Sequence, residues 1–263
     1  MSEPTNVRPS RFSGWLSLLG NRLLLALLGV SLIPLAITGL LMYRSSVAGL
    51  RAQAFNQLET VRTITAKSVE RYFTSMEDQL RVMAEDRMVV DALKQFTAGF
   101  QAILADDDVD AAAVDNARKN LASYYTGDFA NEFRRQTEGD VAVQPLVDGL
   151  PDNAAWLQDL YIRRNENPLG SKQLLDAAND GSAYSKAHAQ FHPIFRNFLA
   201  RFGIYDFFLI DAETGTIVYS VFKEIDFATS LFNGSFSGTE FARACKEALS
   251  SGRRDTVAFG NFE

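Results

Sequence analysis

Residues Phe207–Phe227 read FFLIDAETGTIVYSVFKEIDF. Phe208 and Ile210, then Ile217, Tyr219 and Val221, alternate at period two and are β-branched or aromatic, the pattern of strands with one buried face. Thr214-Gly215 stands between them, and glycine supplies the positive φ that a tight turn requires. The stretch therefore predicts a β-hairpin. A hairpin serves an enzyme, a binding module or an inert sheet equally well, so its purpose has to be read from its surroundings.

The 263-residue chain is long enough for one or two domains with a real core, and its net charge of -6 offers no basic stripe for phosphates. Nucleic acid is thereby excluded as an expected partner. A lone cysteine, Cys245, excludes an internal disulfide framework and reads as a small residue on a helix. There is no phosphate-binding glycine loop, no GxSxG elbow and no HExxH, so neither catalysis nor a cofactor is expected within these residues.

Far upstream of the hairpin, Leu23–Tyr43 reads LLLALLGVSLIPLAITGLLMY, 21 residues without a charge, bracketed by Arg22 and Arg44. At ~1.5 Å per residue such a helix spans about 30 Å, the thickness of a bilayer core. An export signal would have a shorter apolar run and a small-x-small exit, whereas this run leaves through Leu-Met-Tyr-Arg. A membrane anchor is expected at 23–43, with a cytoplasmic tail at 1–22. Arginines flank both ends almost equally, so charge alone gives only a lean towards the large C-terminal part lying outside.

From Ser46 to about Phe96 apolar residues recur at steps of three and four: Val47, Leu50, Ala54, Leu58, Val61, Ile64, Tyr72, Met76, Leu80 and Met83. No proline interrupts them, which predicts one long helix over 44–100 with an exposed stripe that needs a partner; a homodimer is the expectation. The acidic run Asp106–Asp110 fails as a calcium loop, because Ala111 and Ala117 occupy the glycine and glutamate positions, and reads as a helix start. Helix is expected over 111–133, with Leu121, Tyr124, Tyr125 and Phe129 inward. Trp156–Ile162 reads as helix passing into strand. A Phe-rich helix ends at Gly203, Ser237-Gly-Thr-Glu240 reads as a capping box, and Thr256–Phe262 begins another strand, so that 101–263 forms an α+β module with helices on an antiparallel sheet. The ending VAFGNFE reads as a strand cut midway, with further domains expected beyond Glu263.

Several residues invite chemistry. His188 and His192 are four apart, a spacing suited to two metal ligands on one helix face, yet no third Cys or His is local and Pro193 suggests a helix start between them. Metal is therefore a weak reading of the pair. Arg196 has the planar fork for a ligand carboxylate, or for a nearby acid such as Asp206 or Asp211. Asp206, in an apolar setting, needs hydrogen bonds or a counter-charge. Tyr219, Lys223, Asp226 and Phe227 combine polar groups with aromatic walls, as a small-molecule pocket does. The candidate ligand-binding set is Arg196, Asp206, Tyr219, Lys223 and Asp226.

The segments YDFFLID, TGTIVYSVFKE and DFATSL, together with LQDLYI at 157–162 and NPLGSK at 167–172, resemble the extracytoplasmic sensor region of bacterial methyl-accepting chemotaxis proteins, and of related membrane nucleotide cyclases and histidine kinases. The resemblance implies a double Cache architecture, in which a long helix leaves the membrane and carries PAS-like α/β modules. It implies a sensor domain in the periplasm on a bacterial inner-membrane anchor, and a small-molecule ligand bound by the first module. The Arg-x-Trp-Tyr pattern of amino-acid-binding members is absent, so the ligand is left open. A chemoreceptor is the first expectation, a cyclase or kinase sensor the second, and an inert membrane-tethered scaffold the third.

Overall fold

The computed structural model describes residues 19–137, 139–253 and 255–261. The chain divides into two compact units, with the boundary between Thr74 and Ser75. Of the expected tail at 1–22, residues 1–18 lie outside the described residues and the last four are already helical.

Among the described residues the first unit is a single helix, α1, which runs Leu19–Glu85 and so continues past the boundary. It is the one helix among the described residues long and apolar enough to cross a membrane. Pro34 sits inside it, and flanking hydroxyls bond back to carbonyls one turn earlier. Thr38 Oγ1 donates to the Pro34 carbonyl at 2.9 Å, and Ser31 Oγ donates to the Leu27 carbonyl at 3.1 Å. The expected single helix over 44–100 is interrupted at Asp86, where the backbone turns extended (φ -66°, ψ 126°) and the side chain accepts the Met88 N–H at 2.7 Å. A short carboxylate competes for backbone donors and so starts a new helix, α2 (Arg87–Asp106), with neither proline nor glycine to announce it.

The second unit is mostly helical. After α2 come α3 (Ala111–Tyr124), a π turn at Tyr125–Phe129, α4 (Ala130–Thr137), α5 (Gln144–Asp148) and α6 (Asp152–Gln158). A second π turn (Asp159–Arg163), a short 3-10 turn, α7 (Ala183–Phe202), strands β1 (Phe208–Ile210) and β2 (Ile217–Ser220), and α8 (Glu240–Ser250) follow. α2 buries Val89, Ala92, Phe96, Gly99, Phe100 and Ile103, one apolar face at helical spacing, against α7, α6 and β2. Gly99 is required at the α2–α7 crossing, because a Cβ there would stand 2.8 Å from the Tyr184 backbone. The acidic run works as a joint between helices. Asp110 caps α3 through the Ala113 N–H (2.7 Å), Asp107 accepts from the Trp156 indole (2.7 Å) and Asp106 from the Ala183 N–H (2.9 Å).

The hairpin forms as expected, antiparallel, with Leu209 opposite Tyr219 and an irregularity between Leu209 and Ile210. Gly215 turns it at φ +68°, and Asp211 holds the turn by accepting the Thr214 hydroxyl at 2.6 Å. The sheet is smaller than expected: among the described residues only these two short strands pair, with Thr216 bridging to Ser230. Val221 falls outside β2 because Asp206 captures its N–H at 2.9 Å, and that of Phe222 at 3.3 Å, where the next rung would form. Trp156–Ile162 never becomes strand. Leu157 to Ile162 are all buried, Gln158 and Asp159 included, so the run has no exposed face, and in that case periodicity does not separate strand from helix. Thr256–Asn261 is irregular too. Its backbone is tied to α8, with the Asn261 N–H donating to Glu240 (3.0 Å) and the Phe259 carbonyl accepting from Arg243 (3.1 Å). Phe262 lies outside the described residues. Helix α8 is capped by Thr239, whose hydroxyl accepts the Ala242 N–H at 3.2 Å, and not by Ser237.

Candidate ligand-binding site

Helix α7 does not restart at Pro193; it runs through it. His188 and His192 therefore lie on one face, both fully buried, with rings stacked 4.2 Å apart. Their hydrogen bonds fix the tautomers. His192 Nε2–H donates to the Gln173 carbonyl at 2.7 Å, which leaves Nδ1 to accept the Tyr219 O–H at 2.7 Å. His188 Nδ1–H donates to the Asp176 carbonyl at 2.5 Å, and its bare Nε2 is buried with no partner. Burial, followed by the charge of Lys223, pushes both imidazoles down, His192 to about 3 and His188 well below its usual range. Both are neutral near pH 7. No group of three metal-ligating side chains stands together among the described residues.

Lys223 enters from the other side. Its backbone sits at φ +56°, a left-handed conformation rare for a residue with a side chain, which turns the ammonium inward. There it donates to the Ser220 carbonyl and lies 4.2 Å from the Tyr219 ring centroid, 5.0 Å from Phe227 and 5.7 Å from Tyr161. Three aromatic faces hold one cation, an arrangement that grows stronger when water is excluded. Burial lowers the lysine far from its usual range while the Asp206 carboxylate pulls the other way. Phe96, from α2, stacks on Tyr219 at 4.5 Å, and Tyr161 packs on His188 at 4.6 Å. Tyr184 sends its hydroxyl to the Val218 carbonyl at 2.8 Å.

Comparison with known proteins finds no matching family model, no similar curated protein and no similar solved structure. The chemistry of the site rests on its own geometry.

Of the residues singled out in the sequence, Tyr219 and Lys223 meet in this cluster, together with the two histidines. Asp206 lies beside it at the mouth of the hairpin. One of its oxygens accepts the N–H groups of Phe207 (2.6 Å), Val221 and Phe222, and clasps the two ends of the hairpin; the other is buried without a partner. Burial raises this acid, against the pull of those N–H groups and of Lys223. Asp226 is raised to about 7 by burial and then by Glu224 and Asp206, and its Oδ1 is also unpartnered. Arg196 does not pair with Asp206 or Asp211. It forms an ion pair with Asp176 at 2.7 Å and donates to the Gln173 carbonyl at 2.9 Å, bracing the segment that carries the histidines' carbonyl partners.

His188 Nε2 is a buried acceptor without a donor, and one oxygen each of Asp206 and Asp226 is buried without a partner; an unsatisfied buried polar atom costs about 1–3 kcal/mol. Each of these atoms leaves a hydrogen bond open in the interior around the cluster. A surface cleft of about 760 Å³ lies elsewhere, between the end of α3 and the loop at 163–172. Its cations are already committed, Arg163 to Asp159 and Lys172 to the Asn165 carbonyl at 2.6 Å, so the buried cluster is the stronger candidate.

Tyr161 and Gln158 were not read from the sequence as site residues. Gln158 is fully buried, accepts from the Tyr125 hydroxyl at 2.9 Å and donates to the Phe227 carbonyl at 2.6 Å, which locks the segment following Lys223. Both sit in the all-buried run at 157–162, where polar residues among apolar neighbours were the available signal.

Proposed function

We propose that this chain is the N-terminal sensor portion of a bacterial transmembrane receptor, with the unit after the anchor in the periplasm and a small extracellular molecule as its ligand. The reading fits a methyl-accepting chemotaxis protein best, by the resemblance of its hairpin region to such sensors. The observation that carries it is a buried cluster of imidazole, phenol, ammonium and carboxylate groups with unpartnered polar atoms, in a unit whose first helix is continuous with an apolar membrane-length segment. Buried polar groups left unsatisfied call for an explanation, and a binding site is one that supplies the missing partners. A ligand that binds one packing of this cluster better than another shifts the balance by the difference in its affinities, and α1 carries the change towards the bilayer.

The test is a thermal-shift screen of the full chain in detergent against a broad metabolite library, repeated with Lys223→Met and Tyr219→Phe. A compound that raises the melting temperature of the parent but not of the variants supports ligand sensing at this site. A complete lack of hits supports an inert tethered domain, and hits unaffected by either substitution place binding elsewhere.

A further inference from the structure

Between α2, the loop that leads into α6 and the segment after the hairpin lies a cavity of about 340 Å³, at the small end of the ~300–1,000 Å³ of ligand sites. Among the described residues no charged side chain lines it. Phe100, Leu150 and Ala228, all buried, supply an apolar wall. Its polar side chains are hydroxyls and amides. Thr229, Ser230 and Ser235 donate their hydroxyl hydrogens to the carbonyls of Asp226 (2.6 Å), Thr214 (2.7 Å) and Pro145 (3.2 Å), which leaves lone pairs on their oxygens to accept. Asn153 gives one N–H to the Phe100 carbonyl at 3.3 Å and keeps the second. Asn233 is exposed and its amide makes no hydrogen bond among the described residues.

The lining is set before any ligand arrives. Ala228 is held at φ +67°, a left-handed conformation that a residue with a Cβ adopts at a cost. Its N–H donates to the Ile217 carbonyl at 3.0 Å, and the Ile217 N–H returns to the Thr229 carbonyl at 2.9 Å, which fixes it there. Non-glycine residues kept in such conformations collect at ligand clamps and active sites. The Gly234 N–H donates to the Ser230 carbonyl at 2.8 Å, and a Cβ at Gly234 would stand 2.5 Å from that oxygen.

We propose that this cavity binds a small uncharged polyhydroxyl compound, a single sugar ring or a cyclitol. A carboxylate or an ammonium would lose its hydration here with no counter-charge to replace it. A hydroxyl donates and accepts at once, and so can pair both with the lone pairs of the threonine and serines and with the amide N–H groups. The C–H face of the ring then lies against the apolar wall. The cavity is distinct from the Lys223 cluster but shares a segment with it, because Ala228 follows Phe227, whose ring centroid stands 5.0 Å from the Lys223 ammonium. A molecule seated against Ala228 and Thr229 bears on the segment that closes the cluster; this last link rests on the sensor reading, whereas binding itself does not.

The test is thermal unfolding of the full chain, in a detergent without a sugar headgroup, titrated with D-glucose, D-galactose and myo-inositol. D-glucosamine and D-glucuronate serve as charged counterparts of the same size. At least one neutral compound should raise the melting temperature saturably, by about 3–6 °C at ten times its dissociation constant, and the charged pair should not. Asn233→Trp and Ser235→Phe, both at exposed positions, fill the cavity and should abolish the rise while leaving the melting temperature without sugar near that of the parent. Two variants are used so that misfolding of one does not decide the matter. A charged counterpart that acts as well as the neutral ones overturns the ligand class. A rise that survives both substitutions is exclusion of sugar from the protein surface or binding elsewhere, and overturns the site, as does the absence of a rise with every neutral compound. If the polyols fail while other metabolites act through Lys223 and Tyr219, this inference falls and the sensor reading stands.

Discussion

Replacing Asp226 by asparagine should stabilise the protein, and by an amount that grows with pH. The carboxyl is buried beside Glu224 and Asp206, and its folded value of about 7 lies well above its ordinary 3.8. Between those values the folded state holds a proton that the unfolded chain has released. Stability is therefore fully present below pH ~4 and is lost as pH rises towards 7, at about 1.4 kcal/mol per unit, or roughly 4 kcal/mol in all. Asparagine resembles the protonated acid and does not titrate. The variant should gain about 1 kcal/mol over the parent at pH 4.5 and up to about 4 kcal/mol at pH 8. For a unit of this size each kcal/mol shifts the melting temperature by about 2–4 °C. Thermal unfolding of the full chain in detergent at both pH values reads the difference directly, with Trp156 in the second unit as an intrinsic probe. A gain that is the same at pH 4.5 and pH 8, or a loss at pH 8, would refute the claim that this carboxyl is held neutral by its surroundings.

Tyr219→Phe removes the one hydroxyl that serves His192 Nδ1 and leaves that nitrogen buried and unpaired; a loss of about 1–3 kcal/mol is expected in chemical denaturation, and a neutral result would place water or another donor there. Gly99→Ala forces a methyl group against the Tyr184 backbone at the α2–α7 crossing, and should cost about 1–3 kcal/mol by the same measurement, whereas alanine at Gly127 of the π turn, where a Cβ would meet nothing within 4 Å, should cost far less.

Much of this architecture could be read before the fold was seen, and the reasons differ from element to element. The second half of α7 and its end were legible because Phe191, Phe195 and Leu199 keep helical spacing and Gly203 adopts the left-handed cap at φ +66°, whereas Pro193 hid that the helix begins at Ala183. The hairpin was legible because Thr214-Gly215 punctuates two alternating runs. The break at Asp86 was not, since a carboxylate that captures one backbone N–H leaves no trace in apolar periodicity. The run at 157–162 was misread because burial on every side erases the signal that separates strand from helix. The site was half legible. Lys223 and Tyr219 are neighbours in sequence, but Tyr161, His188 and Phe96 reach them from three other elements, and only the packing of α2 on α7 brings those side chains together. Arg196 was assigned the wrong acid because Asp176 lies in an irregular segment whose path no local pattern predicts.

The central claim is that α1 anchors the chain in a membrane with the folded second unit outside the cytoplasm. Protease added to intact spheroplasts tests it most directly. The account predicts that the second unit is digested while the apolar segment stays in the membrane fraction; a second unit that survives until the spheroplasts are lysed, or a chain recovered freely soluble, would contradict it.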